Sequence, residues 1–188
     1  MNNNNRFQQS RQVRSHDAIL RGIEPFKDPS ESVLIKRAKD DYACFQADYL
    51  LNMDLDIYLL TLTYNTKHFR QDDLKSLKRT RGSIHTKLKE NEGVEAFFSS
   101  LEVHEDGRPH LHIEITTNIS FNAHRFIKFS KHGNFKKHNP KADLHLLKID
   151  DRENYKGYAG KDLEEKLRKL LKRFNLQNHI HTLYQKGA

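Results

Sequence analysis

The chain has 188 residues, enough for one domain with a substantial core but too few for two full domains. A formal charge of +8 and a pI near 9.5 point to a polyanionic partner, of which nucleic acid is the commonest for a basic protein. The single cysteine, Cys44, excludes a disulfide framework, no apolar run nears the ~20 residues of a membrane span, and neither a signal-peptide core nor a Walker A sequence is visible, so a cytoplasmic protein with no membrane partner is expected.

Residues 1–29 read as an N-terminal arm, since their opening Asn, Gln, Ser and Arg content cannot offset the entropy of ordering. After Pro25 and Pro29, residues 30–54 form an accessory helix. Leu34, Ala38, Tyr42, Phe45 and Tyr49 recur there at helical spacing, Ser30 can cap it, and Cys44 is expected to be buried in it. Residues 55–188 form the main domain, whose elements alternate in type. Ile57–Tyr64 is β-rich, and Asp72–Glu90 is a charged helix. Phe97–His104 and His110–Thr116 are strands about a tight turn, Asn122–Phe129 is a short helix, and Leu144–Ile149 is a strand. A long helix over Asp150–Phe174, with Asp150 and Glu153 as a capping box, ends the series. The order β-α-β-β-α-β predicts an α+β, ferredoxin-like or RRM-like fold. Its central sheet is antiparallel, with one helix added before it and a tyrosine-bearing helix after it.

The segment Glu102–His112, Glu-Val-His-Glu-Asp-Gly-Arg-Pro-His-Leu-His, carries two histidines one residue apart on a strand, so His110 and His112 share a face. Register parity decides whether a carboxylate joins them. A two-residue Asp106-Gly107 turn sets Glu102 opposite Leu111. A three-residue Glu105-Asp106-Gly107 loop with a glycine bulge sets it opposite His110. The bulged hairpin is predicted, because its other face then gathers Leu101, Val103, Leu111, Ile113 and Ile115 for packing against helices. Two imidazoles and a carboxylate suit a divalent cation, with His104 and Glu114 on the same face as alternative ligands or supporting partners. Zinc and manganese fit by softness, and magnesium fits beside phosphate.

In the last helix Leu163, Leu167, Leu170, Leu171 and Phe174 form the apolar stripe. Running the wheel backwards places Tyr158 and Lys161 opposite it, one turn apart. Tyr155 falls on the flank, in a packing position. Gly157 and Gly160 disfavour a helix interior by about 1 kcal/mol each, which marks either close approach of another group or a break in the helix. A phenol with a pKa of about 10 is a weak nucleophile unless a cation favours the phenolate, and Lys161 is placed to do so.

Together these residues resemble the HUH endonuclease superfamily, in particular its single-tyrosine rolling-circle replication initiators from small circular single-stranded DNA viruses and related plasmids. Leu60-Thr-Leu-Thr-Tyr64 is similar to the family's first motif, a sheet strand. Glu102 with Pro109-His110-Leu-His112 is similar to the second, in which the carboxylate eight residues upstream is the third metal ligand. Tyr158 with Lys161 is similar to the third, in which tyrosine is the nucleophile. The resemblance covers about residues 57–165, and the tyrosine follows the histidines as in initiators, whereas mobilisation relaxases usually reverse that order. It implies nicking and joining of single-stranded DNA or an origin hairpin through a 5′-phosphotyrosine, with magnesium or manganese as cofactor. A monomer or weak dimer is expected, working with host helicase and polymerase, since no helicase domain is present.

Between Lys128 and Lys141 stand five lysines, Lys128, Lys131, Lys136, Lys137 and Lys141, and two histidines without one acid. That run reads as a phosphate clamp, with Phe129 and Phe135 as stacking groups. Two other readings compete. A single-tyrosine transposase or a plasmid mobilisation nuclease would carry the same ligands, and a non-catalytic RRM-like nucleic-acid-binding protein would carry the same sheet.

Overall fold

In the computed structural model, β1 (Asp56–Tyr64), β2 (Val94–Val103), β3 (Pro109–Thr117), β4 (Ala142–Lys148) and β5 (His181–Gln185) form one antiparallel sheet in the order β4-β1-β3-β2-β5. The structure describes residues 30–64, 73–103, 108–123, 126, 142–152, 154–174 and 180–187. Three helices accompany the sheet among them: α1 (Glu31–Phe45), which runs on into a π-helical turn at Gln46–Leu50, α2 (Asp73–Lys89) and α3 (Leu163–Arg173). The fold is thus α+β, and Glu31–Ala188 form one compact unit. No helix among the described residues is long and apolar enough to cross a membrane.

Alternation along each strand sorts the sheet into two faces. Leu60, Leu62, Phe97, Leu101, Leu111, Ile113 and Ile115 point one way and are buried, together with Leu77, Ile84 and Leu88. These last three recur at helical spacing on α2, whose His85 ring lies 4.9 Å from Phe97 on that face. Burying each such side chain contributes about 1.5–3 kcal/mol, so this layer fixes the strand register. Among them are four of the five residues expected on the packed strip, and the fifth, Val103, is partly buried against the core.

The opposite face carries the polar constellation and is partly roofed by α1 and α3. Tyr42 of α1 meets Phe98 edge-on at 4.9 Å, and Phe45 lies 6.2 Å from the same ring. Leu34, Ile35, Ala38, Tyr42 and Phe45 are buried in the same core as the strands. The segment set apart from sequence as an accessory helix therefore packs directly on the sheet. Cys44 projects from the outer side of α1 and is exposed, contrary to the burial expected for it.

The largest correction concerns the final helix. It begins at Leu163 instead of Asp150, because Gly157 (φ +86°) and Asp162 (φ +54°) adopt left-handed backbone that a helix cannot contain. Residues 149–152 and 154–162 are not helical, and Arg152 ties the start of this loop to the segment that follows α1. The Arg152 guanidinium donates to the carbonyls of Leu50 (3.2 Å), Asn52 (2.7 Å), Met53 (2.9 Å) and Leu55. Strand β5 is a second departure, since no element was expected after Phe174. The arm at 1–29, most of the helix expected at Asn122–Phe129, Glu153 of the capping box and the lysine run Lys128, Lys131, Lys136, Lys137 and Lys141 lie outside the described residues.

Candidate functional site

The β2/β3 hairpin pairs Glu102 with His110 and Val103 with Pro109, the register that the bulged loop requires. His104 and the turn itself lie outside the described residues. On the next strand over, Thr63 stands opposite His110 and Thr61 opposite His112. The Thr-x-Thr of β1 and the His-x-His of β3 thus run in step across one face, as a period of two demands.

That step sets the ring orientations. Thr61 Oγ1 lies 3.2 Å from His112 Nδ1, and Thr63 Oγ1 lies 3.3 Å from His110 Nδ1. With Nδ1 of each ring engaged, Nε2 is the nitrogen that each presents to a ligand. The two rings are nearly parallel, 11° apart with centroids at 6.1 Å, and both side chains are buried. His112 Nε2 lies 3.9 Å from Glu102 Oε2. Two imidazole nitrogens and a carboxylate on adjacent strands are a donor set that suits a divalent cation. Among the described residues, however, no three such side chains are gathered tightly enough to close around an ion, and the Glu102 carboxylate already has a cationic partner. Its Oε1 accepts from Lys166 Nζ at 2.9 Å.

Tyr158 arrives from the crossing loop. Its ring centroid is 4.7 Å from that of His112, and at 41% relative exposure it remains open to solvent. Glu114 holds it there. This fully buried carboxylate on β3, two residues beyond His112, accepts the backbone N–H of Tyr158 at 2.7 Å and that of Ala159 at 3.1 Å. It also accepts the hydroxyl of Tyr155. From β2, Ser100 Oγ donates to the Ala159 carbonyl at 3.5 Å. The sheet therefore grips the main chain on both sides of the Tyr158 Cα. Glu114, weighed from sequence as a metal ligand or a supporting partner, is the anchor of the tyrosine loop.

Tyr42 and the two glycines complete the seat. A Cβ on Gly157 would stand 1.8 Å from the Tyr42 hydroxyl, and one on Gly160 would stand 1.8 Å from its ring. Gly157 breaks the helix, and both glycines admit the α1 tyrosine against the loop. Burial first, and then the Glu114 charge, push the phenols of Tyr42 and Tyr155 above the ordinary tyrosine range. Of these three clustered tyrosines only Tyr158 is exposed.

The structure brings together Glu102, His110, His112 and Tyr158. Lys161 follows Tyr158 through a turn and not along a helix. Lys161 donates its backbone N–H to the Tyr158 carbonyl at 3.1 Å, and its side chain is exposed. An ammonium at the site belongs to Lys166 in the first turns of α3, 5.0 Å over the Tyr158 ring as well as on Glu102. Sequence reasoning missed Lys166, Thr61 and Thr63. The threonines had a visible signal, their alternation in step with the histidines, whereas Lys166 is one of many lysines on a charged helix. No protein-family model, curated protein or solved structure matches this chain.

Proposed function

We propose that the chain nicks and rejoins single-stranded DNA, with Tyr158 as nucleophile and Glu102, His110 and His112 as the residues that hold magnesium or manganese. The single observation that carries this reading is the exposed phenol of Tyr158, with its ring 4.7 Å from the ring of His112 on a face lined by a carboxylate and a second imidazole. The strand order β4-β1-β3-β2, with β5 at one edge, supports it, because it is the order that a ferredoxin-like fold would have. A cation bound by these three side chains would draw charge from the scissile phosphate and lower the barrier to its attack.

The chain's own groups do the rest. Thr61 and Thr63 fix the imidazoles, and Glu114 and Ser100 hold the loop so that Tyr158 meets the phosphate from one side. The Tyr158 Oη–phosphorus bond forms as the phosphorus–O3′ bond breaks. The phenol proton passes to solvent, and the departing 3′-oxygen takes one up as a hydroxyl that can prime synthesis. The phosphodiester energy stays in the 5′-phosphotyrosine, so the same site can reverse the step and rejoin strands. Single-stranded DNA or the loop of an origin hairpin is the fitting substrate, because attack in line needs an unstacked phosphate. In this reading the chain initiates rolling-circle replication and relies on host helicase and polymerase. A transposase or mobilisation nuclease would use the same residues on a different DNA.

The test is incubation of the protein with manganese and a random-sequence pool of labelled single-stranded oligonucleotides, followed by denaturing electrophoresis. A labelled protein band that is absent from Tyr158→Phe is expected. A band of equal intensity in Tyr158→Phe, or none from the wild-type chain, overturns the reading.

A further inference from the structure

We infer that Lys166 is the resident counter-cation of Glu102 and surrenders that carboxylate to the divalent ion, so that metal binding and release of an ammonium beside Tyr158 are one exchange. The inference rests on the metal-dependent reading above and adds to it the identity and regulation of the cation that works with the tyrosine.

Three distances carry it. Lys166 Nζ is 2.9 Å from Glu102 Oε1, the other oxygen of the same carboxylate is 3.9 Å from His112 Nε2, and Lys166 Nζ is 5.0 Å from the centre of the Tyr158 ring. The Lys166–Glu102 pair is largely withdrawn from water, with side-chain exposures of 20% and 10%. A carboxylate so placed requires a positive partner, and leaving it alone is costly. The ammonium supplies that partner before an ion arrives. A divalent ion held on the other oxygen and by two imidazoles would bring twice the charge to within a few ångström of the ammonium, and the two cations would repel each other across one carboxylate. The Glu102 backbone is held in the sheet opposite His110 and its side chain is the shorter of the two, so the exchange falls to the lysine, whose four-carbon stem lets its head move. Once displaced, that head stays tethered beside Tyr158, where a phosphate must come. Lys166 would then stand beside Tyr158 as a second positive group, neutralised by Glu102 for as long as no ion is bound.

The exchange sets opposite signs for two substitutions. Manganese affinity, followed by the electron paramagnetic resonance of the free ion, should rise about tenfold in Lys166→Met, because the competitor is gone. It should fall below wild type in Lys166→Arg, whose guanidinium grips a carboxylate with two parallel hydrogen bonds and does not let go readily. Glu102→Gln should weaken manganese binding and abolish the difference between lysine and methionine at 166. A second readout needs no turnover. Lys166→Met should weaken binding of a single-stranded oligonucleotide when the protein is saturated with manganese and leave it unchanged in chelator. Circular dichroism of each variant establishes that it is folded, and the arginine variant keeps the test decisive if the methionine variant is not. Equal manganese affinity in folded wild type, Lys166→Met and Lys166→Arg overturns the exchange and leaves the nuclease reading standing. Failure of the wild-type protein to bind manganese at all overturns both.

Discussion

Glu114 Oε1 accepts the backbone N–H of Tyr158 at 2.7 Å, so a buried carboxylate on the floor of the sheet holds the candidate nucleophile by its own main chain. Glu114→Gln keeps the shape but turns an acceptor into a donor facing N–H groups. A loss of about 2–4 kcal/mol in urea denaturation is expected. Adduct formation should slow by more than oligonucleotide affinity falls, since the loop is misplaced while the sheet remains. A variant as stable and as fast as wild type would show that the anchor is dispensable.

The environments of Tyr155 and Tyr158 assign them opposite behaviour. Burial and Glu114 keep Tyr155 protonated, and its hydroxyl is spent on the carboxylate. Tyr155→Phe should therefore still form adduct while losing about 1 kcal/mol of stability. Tyr158→Phe should lose the adduct, with stability within about 0.5 kcal/mol of wild type. Loss of adduct in Tyr155→Phe alone would exchange the two roles.

Thr61 and Thr63 act through the histidines. Valine at either position keeps the β-branched shape that suits a strand but removes the hydroxyl at Nδ1. Manganese affinity should fall about 10–100-fold in each variant, as it does when a supporting partner of a metal-binding histidine is lost. An unchanged affinity, measured by calorimetry, would mean that the rings are held by packing alone.

These threonines show what the sequence discloses and what it hides. Period-two alternation placed the strands, and parity of the Glu102–His112 hairpin placed the carboxylate opposite His110, because a slip of one residue would have exposed Leu111, Ile113 and Ile115. Hydrogen bonds between strands that are distant in sequence leave no such local trace. The tyrosine segment misled for a different reason. The apolar stripe of α3 is real from Leu163 to Phe174, but extrapolating its wheel backwards ignored the left-handed residues Gly157 and Asp162. Tyr42 supplies the contact that explains both glycines, from a helix more than a hundred residues away. Lys166 is hidden among the lysines of a charged helix, whereas spacing from Tyr158 along a helix points to Lys161.

Gly160 offers a direct test of that packing. In Gly160→Ala the new Cβ would overlap the Tyr42 ring, and a destabilisation of about 2–3 kcal/mol is expected. Shortening the obstacle with Tyr42→Ala should cost stability alone yet cost less in the Gly160→Ala background, a coupling that a double-mutant cycle in urea measures. Strict additivity would place the two residues apart.

His85 predicts a pH dependence on the far face of the sheet. Burial first, then the nearby Arg81 and Lys89 charges, push its pKa down to about 3, and its Nε2 has no hydrogen-bond partner among the described residues. Between about pH 6.5 and 3 the unfolded chain holds a proton on this ring that the folded chain does not, so stability falls with acidification by up to about 1.4 kcal/mol per pH unit. His85→Leu should flatten the slope between pH 6.5 and 5, above the range in which ordinary carboxylates titrate. An unaltered slope would assign the acid sensitivity elsewhere.

The proposed bond between Tyr158 and DNA can be read directly. Proteolysis of the protein after reaction with manganese and a single-stranded oligonucleotide pool, followed by nuclease trimming and tandem mass spectrometry, reads that bond directly. A nucleotide 5′-phosphate is expected on the peptide that contains Tyr158, localised by fragmentation to its phenolic oxygen. A nucleotide on any other residue, or cleaved DNA with no modified peptide, would contradict it.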